Sequence, residues 1–173
     1  MPKHFQCSNC GFNVPLDVRT YPYKASGLPN VFLQGVEIAD CPNCGNCDVI
    51  IPHPLKVHRA LALALTKSPC RLTGPQLRFL RKHLRASGEQ FSQYLHTDKT
   101  KISKWEKGED PIGPSTDRLI RLLVAALDEE MLLSSPAIAS QFPNISDEPG
   151  CDLELHVDVV SLTTSFLISR RAA

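Results

Sequence analysis

Cys7-Ser-Asn-Cys10 and Cys41-Pro-Asn-Cys44 restrict the first third of the chain more tightly than any other feature in it. Each is a C-x2-C knuckle followed by glycine, Gly11 and Gly45. Such a knuckle turns two thiolates toward one point, and the glycine relieves the turn. Two knuckles bring four thiolates together. The spacing predicts one tetrahedral zinc per chain on Cys7, Cys10, Cys41 and Cys44. Buried thiols or a redox pair are the plain alternative. Cys47 offers a rival pairing with Cys44, but Cys41 and Cys44 repeat the Cys-x-x-Cys-Gly form of the first knuckle. His4, His53 and His58 are weaker candidates. Four thiolates close the site and leave no position for water or substrate, so the expected role is structural.

Between the knuckles, Val14–Tyr23 and Val31–Ile38 read as strands around a turn at Ala25-Ser-Gly-Leu-Pro-Asn30. Pro15 and Pro22 place the first strand at an edge. The second presents an edge between Val31 and Ile38 to which a partner's strand could add. About 50 residues bury too little to hold such a sheet without metal. Pro54 then opens a helix to about Lys67, with Leu55, Leu61 and Leu65 expected on the sheet.

Seven cysteines, five of them within the first 47 residues, point to metal rather than disulfides in a reducing compartment. The chain has no apolar run of 18 residues and no signal-peptide core at MPKHFQC, so a cytoplasmic protein without a membrane partner is expected. Net charge is +1, but it is unevenly spread. Residues 73–127 hold ten Lys/Arg against six Asp/Glu, and residues 134–173 hold two against five. A local basic surface matters more for nucleic acid than the total.

That basic middle has the periodicity of a four-helix unit. Thr73-Gly-Pro-Gln76 is a capping box, and Leu77, Leu80 and Leu84 follow on one face. Arg78, Arg81, Lys82 and Arg85 lie on the other. Ser87 caps a short helix with Phe91 and Leu95 on one face. His96-Thr97 breaks it, and Asp98 caps a second helix, Lys99–Lys107, stopped by Gly108. Its apolar seam is only Ile102 and Trp105. Lys99, Thr100, Lys101, Ser103 and Lys104 form an outward face with no acid. This is the chemistry of a recognition helix: cations for phosphate, short polar groups for base edges. Arg81 and Lys82 are candidate phosphate contacts. A solvated amphipathic helix is the bland alternative. Ser115-Thr-Asp then caps a last helix over about 116–132, whose surplus of leucines suggests a homodimer surface.

The order from Lys99 to Gly108 resembles the end of recognition helices in phage-repressor-like (Xre) proteins. More broadly, residues 1–133, about three quarters of the chain, resemble the MqsA-type antitoxins, also called the YgiT-type zinc-finger/helix-turn-helix family. The matching stretches are Cys7-x-x-Cys10, Tyr23…Gly27…Asn30-Val-Phe-Leu-Gln-Gly35, Cys41-Pro-Asn-Cys44-Gly45, Leu77-Arg-Phe-Leu-Arg-Lys82, Ser103-Lys-Trp-Glu-Lys-Gly108 and Pro114-Ser-Thr116. The resemblance implies a zinc domain that binds a ribonuclease toxin and a dimeric helix-turn-helix domain that represses its own operon at a palindromic operator. It places base reading on Thr100 and Lys104, where the family's best-known form has Asn-type and Arg-type side chains, so sequence preference should differ. Gly88 stands where Gln is usual, at a helix cost of about 0.5–1 kcal/mol. His96 stands where Gly is usual, and a left-handed non-glycine costs about 1–2 kcal/mol.

The expected fold is therefore α+β in two domains: a small zinc-bound β/α domain (1–66), a linker (67–72) that leaves the interdomain angle free, and an all-α helix-turn-helix domain (73–133). Residues 134–173 form an extension. Its Asp152–Val159 alternates strictly and reads as a half-buried strand, and Leu162–Ser169 as a second strand or a helix. An enzyme is not expected, since nothing resembles a Ser/His/Asp or paired-carboxylate site. A stand-alone zinc-containing repressor without a toxin is the closest alternative.

Overall fold

The structure, a computed structural model, describes residues 3–146 and 151–170. It is a mixed α and β fold of six α-helices and two sheets among those residues. β1 (His4–Gln6) and β2 (Asn13–Pro15) pair alone as a small antiparallel ribbon. The larger sheet has β3 (Asp17–Pro22) at one edge, antiparallel to β4 (Val31–Asp40). β5 (Cys47–Ile50), not foreseen from the sequence, pairs with Glu37–Asp40 of β4.

The other half of that same side of β4 is filled from the far end of the chain. β6 (Cys151–Asp158) runs parallel to β4, with Val31 opposite Leu155 and Gln34 opposite Asp158. β7 (Thr164–Arg170) then pairs antiparallel with β6 and forms the opposite edge. This corrects the expected free edge between Val31 and Ile38: β4 is a central strand. It also makes the carboxy-terminal extension part of the sheet; residues 147–150, before β6, lie outside the described residues. Alternation explains the insertion. Leu153, Leu155, Val157 and Val159 are all buried, and each such side chain contributes about 1.5–3 kcal/mol.

α1 (Pro54–Lys67) covers the sheet with Val57, Leu61, Ala64 and Leu65, the i, i+4, i+7, i+8 stripe of a core-facing helix. Leu55, expected on the sheet, lies off that stripe and is 74% exposed. α2 (Gly74–His83) and α3 (Gly88–Tyr94) each open with a complete capping box, Thr73 with Gln76 and Ser87 with Gln90. α4 (Lys99–Lys107) follows Asp98, whose side chain makes no capping bond, and ends at Gly108 with φ +76°. α5 (Pro114–Leu127) starts after Gly113 rather than Ser115. It stops five residues early because the Asp128 carboxylate accepts the backbone N–H groups of Glu130 and Met131 and turns the chain. α6 is Ser135–Ala139.

One hydrophobic core runs from Leu33 and Val36 in the sheet through α1 to Phe91, Trp105 and Ile120. The stretch 67–72, read as a free linker, is part of it. Ser68, Cys70 and Leu72 are buried, and Arg121 of α5 reaches across to their backbone. Its guanidinium donates to the carbonyls of Leu65, Thr66, Ser68 and Cys70, while Asp117 accepts the N–H of Leu72. These bonds tie α5 to the stretch that follows α1. Cys70 and Cys151 are joined as a disulfide with Cα atoms 5.7 Å apart, which corrects the expectation of metal rather than disulfides for these two cysteines. That bond ties the start of β6 to the same stretch. At the far end of α5, Asp128 accepts from His83 Nε2 at 2.7 Å and from Arg59 Nε at 3.3 Å, linking α1, α2 and α5. No described helix is long and apolar enough to cross a membrane.

Candidate functional site

The two knuckles fold as near copies. In the first, Gly11 N–H donates to the Cys7 carbonyl at 2.9 Å and Cys7 N–H to the Phe12 carbonyl at 2.9 Å. In the second, Gly45 N–H donates to Cys41 at 2.9 Å and Cys41 N–H to Asn46 at 2.8 Å. Gly11 and Gly45 have φ of +71° and +72°, with open space where a Cβ would be, so backbone conformation alone calls for glycine. The β1–β2 ribbon presents the first knuckle, and the β4–β5 connection presents the second.

Together they bring the Sγ atoms of Cys7, Cys10, Cys41 and Cys44 within 4.8 Å of one another. Cys7 lies 3.6 Å from Cys44, and Cys10 lies 3.5 Å from Cys41. Thiolates at zinc-type bond lengths around a tetrahedron stand ~3.8 Å apart, so the donor set fits a metal ion of that kind. Cys47 falls outside the cluster; its thiol points to Asp40, which raises its pKa. No histidine joins it. His58 is instead bonded to the Tyr23 hydroxyl at 2.8 Å and packs edge-on to Phe79.

Neighbours orient the thiols. The Asn43 amide donates to Cys10 at 3.5 Å and chiefly holds its pKa down to about 6. The Asn46 amide bridges Cys7 and Ser8, and Ser8 donates from backbone and hydroxyl to Asp48. Burial pushes Cys41 up to about 11. Such outer partners fix the ligands' directions. Cys7 and Cys41 also pack with Val14 and Ala39 in a small apolar cluster separate from the main core. An ion held by all four thiols would have no open coordination position, so the arrangement suits a structural role.

The second candidate region is α4. Ile102 and Trp105 are buried against α2 and α3, and Lys99, Thr100, Lys101, Ser103, Lys104 and Lys107 are exposed. Thr100, Ser103 and Lys104 make no side-chain hydrogen bond or ion pair among the described residues. Lys101 is tied to Asp110 at 2.5 Å and lies 5.9 Å over the Trp105 ring. Lys99 and Lys107 lie 3.9 Å and 3.7 Å from Glu89 and Glu109. The turn between α3 and α4 holds His96 at φ +50°, in the left-handed region that favours glycine.

Arg81 is not available to phosphate as expected. Its side chain is 14% exposed and makes a forked pair with Glu106 at 2.6 and 3.1 Å, and it also donates to the Ala86 carbonyl. It bolts α2 to α4 instead. The signal was present: Glu106 is the acid that interrupts the basic helix, and a forked guanidinium is its natural partner. Lys82, beside it, is exposed. Gly74 completes this junction. A Cβ there would lie 2.5 Å from the Trp105 carbonyl and 2.6 Å from that of Glu106, so the start of α2 abuts the end of α4.

Compared with known proteins, the chain matches no family model, no curated protein and no solved structure.

Proposed function

We propose that this protein is a sequence-specific DNA-binding transcription regulator. In this reading α2 to α5 act as a helix-turn-helix unit, α4 lies in the major groove, and a dimer binds a palindromic operator. The observation that carries it is the face of α4. A nine-residue helix with two buried side chains turns Thr100, Ser103 and Lys104 outward, without side-chain partners among the described residues, beside Lys99 and Lys101. Thr and Ser reach base edges; lysines meet phosphate or guanine. Lys82 supplies a flanking phosphate contact. The four-cysteine cluster holds zinc, which pins the β1–β2 ribbon to the sheet. No catalytic role is assigned.

The resemblance to MqsA-type antitoxins extends the reading to a toxin–antitoxin pair, with a ribonuclease toxin held through residues 1–66. Since β4 has no free edge, such a toxin would meet the knuckles or the β3 edge. The same observation favours the second reading, a stand-alone repressor: the chain's own β6 occupies the place where a partner strand would add.

The test uses the whole protein. Footprinting on DNA upstream of its gene should protect two half-sites spaced by about one helical turn or a multiple. Equal affinity for that DNA and for random duplex at the same salt overturns the regulator. Co-purification with the product of the neighbouring reading frame separates antitoxin from stand-alone repressor.

A further inference from the structure

The exposed strands of the larger sheet are built in two ways. β3 carries Asp17 and Arg19, follows Pro15 closely and ends on Pro22. Charges and prolines are how an edge resists a further strand. β5 is short and carries Asp48. β7 has no such protection before its last residue, Arg170. The chain holds no charged residue and no proline from Val159 to Ser169. β6 covers one side of β7 along its full length, and no described strand covers the other.

The side chains repeat the message. Phe166 and Ile168 stand opposite Leu155 and Leu153, on the face that packs under α1, yet they remain 38% and 44% exposed. Leu167, opposite Glu154 on the other face, is 63% exposed. The apolar layer of the sheet thus runs out to its last strand and stops uncovered. A long, uncharged, apolar edge is a template for strand addition.

The sequence of that edge says what adds to it. Ser165-Phe166-Leu167-Ile168-Ser169 has the same pattern read in either direction. An antiparallel pairing of two copies centred on Leu167 sets Ser165 against Ser169, Phe166 against Ile168 and Leu167 against itself. Position 170 falls opposite Thr164, so no like charges meet. A self-complementary strand is what a two-fold, isologous contact requires.

We propose that the protein is a homodimer through its β7 strands, which pair antiparallel across a two-fold axis and join two five-stranded sheets into one. This takes from the proposed function only that two chains act together, and it stands or falls without reference to DNA.

The experiment measures mass in solution, by sedimentation or light scattering, for the full chain and for Leu167→Lys and Leu167→Glu. Leu167 is exposed, and circular dichroism checks that each variant stays folded. The wild type should have the mass of two chains and each variant the mass of one, because like charges then face each other on the axis. An equimolar mixture of the two variants should return to the mass of two. A monomeric wild type, a dimeric single variant, or a mixture that stays monomeric overturns the proposal. A dimeric single variant would move the interface to another surface, such as Leu119 and Leu127 on α5. Hydrogen exchange on the wild type gives a reading free of variants: amides along all of β7 are protected, and rapid exchange at every second one overturns the pairing.

Discussion

Arg121 and Asp117, one turn apart on α5, form an ion pair at 2.7 Å in which both side chains are fully shielded from solvent. The pair does not stand alone. Arg121 also satisfies four backbone carbonyls of the 65–70 stretch, and Asp117 satisfies the N–H of Leu72. Replacing Arg121 by Met leaves a buried carboxylate and unpaired carbonyls together. Loss of one partner of a buried pair costs about 3–5 kcal/mol, so Arg121→Met should approach global unfolding. Urea denaturation checks this, and a loss below about 1 kcal/mol would show that the clasp is dispensable.

Metal content should follow Cys44 and not Cys47. Cys44→Ser removes one of four clustered thiols, whereas Cys47 lies outside the cluster. Elemental analysis should find one zinc per chain in wild type and in Cys47→Ser, and a large loss in Cys44→Ser. The small cluster around Val14 and Ala39 is separate from the main core, so chelation should loosen β1 and β2 locally. Amide exchange in α1 and α5 should remain slow. Full metal in Cys44→Ser would transfer the ligand role.

Lys82 and Arg81 should part company. Lys82→Ala should weaken binding to all DNA sequences alike, as a lost phosphate contact does. Arg81→Ala should lower stability by about 1.5–3 kcal/mol, since it breaks a forked, partly buried pair with Glu106. Thr100→Ala with Lys104→Ala should instead reduce discrimination between operator and random DNA, at about 1–3 kcal/mol per base contact. Unchanged discrimination in that double variant would remove α4 from the groove.

Asp128 should make stability depend on acid. Burial raises its pKa, but hydrogen bonds from His83 and Arg59 outweigh this and hold it below the ordinary value. A depressed carboxylate contributes stability above its unfolded pKa of about 3.9, and that contribution is lost as pH falls through the folded value. Wild type should therefore exceed Asp128→Asn in stability near neutrality, and the gap should close below about pH 4. A gap that stays constant from pH 7 to pH 3 would rule out the ionised carboxylate as its source.

What the sequence disclosed was local. The knuckles, the capping box at Thr73, the Ser87 N-cap and the glycine after Lys107 each depend on residues within five positions, and each appears as read. The misreadings involve distance. Nothing near Val31 announces that Leu155 will lie beside it, so β4 reads as an edge. Nothing near Arg121 announces the four carbonyls of the 65–70 stretch that surround it. Arg81 follows the same pattern, because its partner lies 25 residues away. Cys70 and Cys151, alone in sequence, meet only because β6 crosses the molecule. The alternation of Asp152–Val159 announced a strand with one buried face, but not the strand it would join.

The parallel insertion of β6 has a consequence in time. Gln34 on β4 and His156 on β6 are hydrogen-bonded across 122 residues. At a synthesis rate of about 5–20 residues per second, β4 leaves the ribosome ~6–25 s before the strand that will flank it. During that interval its lower half is an unpaired apolar edge, open to any extended segment nearby. The surface that β4 presents until β6 is made thus differs from the one that the finished molecule presents. A message broken before the codons for β6 would make that transient surface permanent.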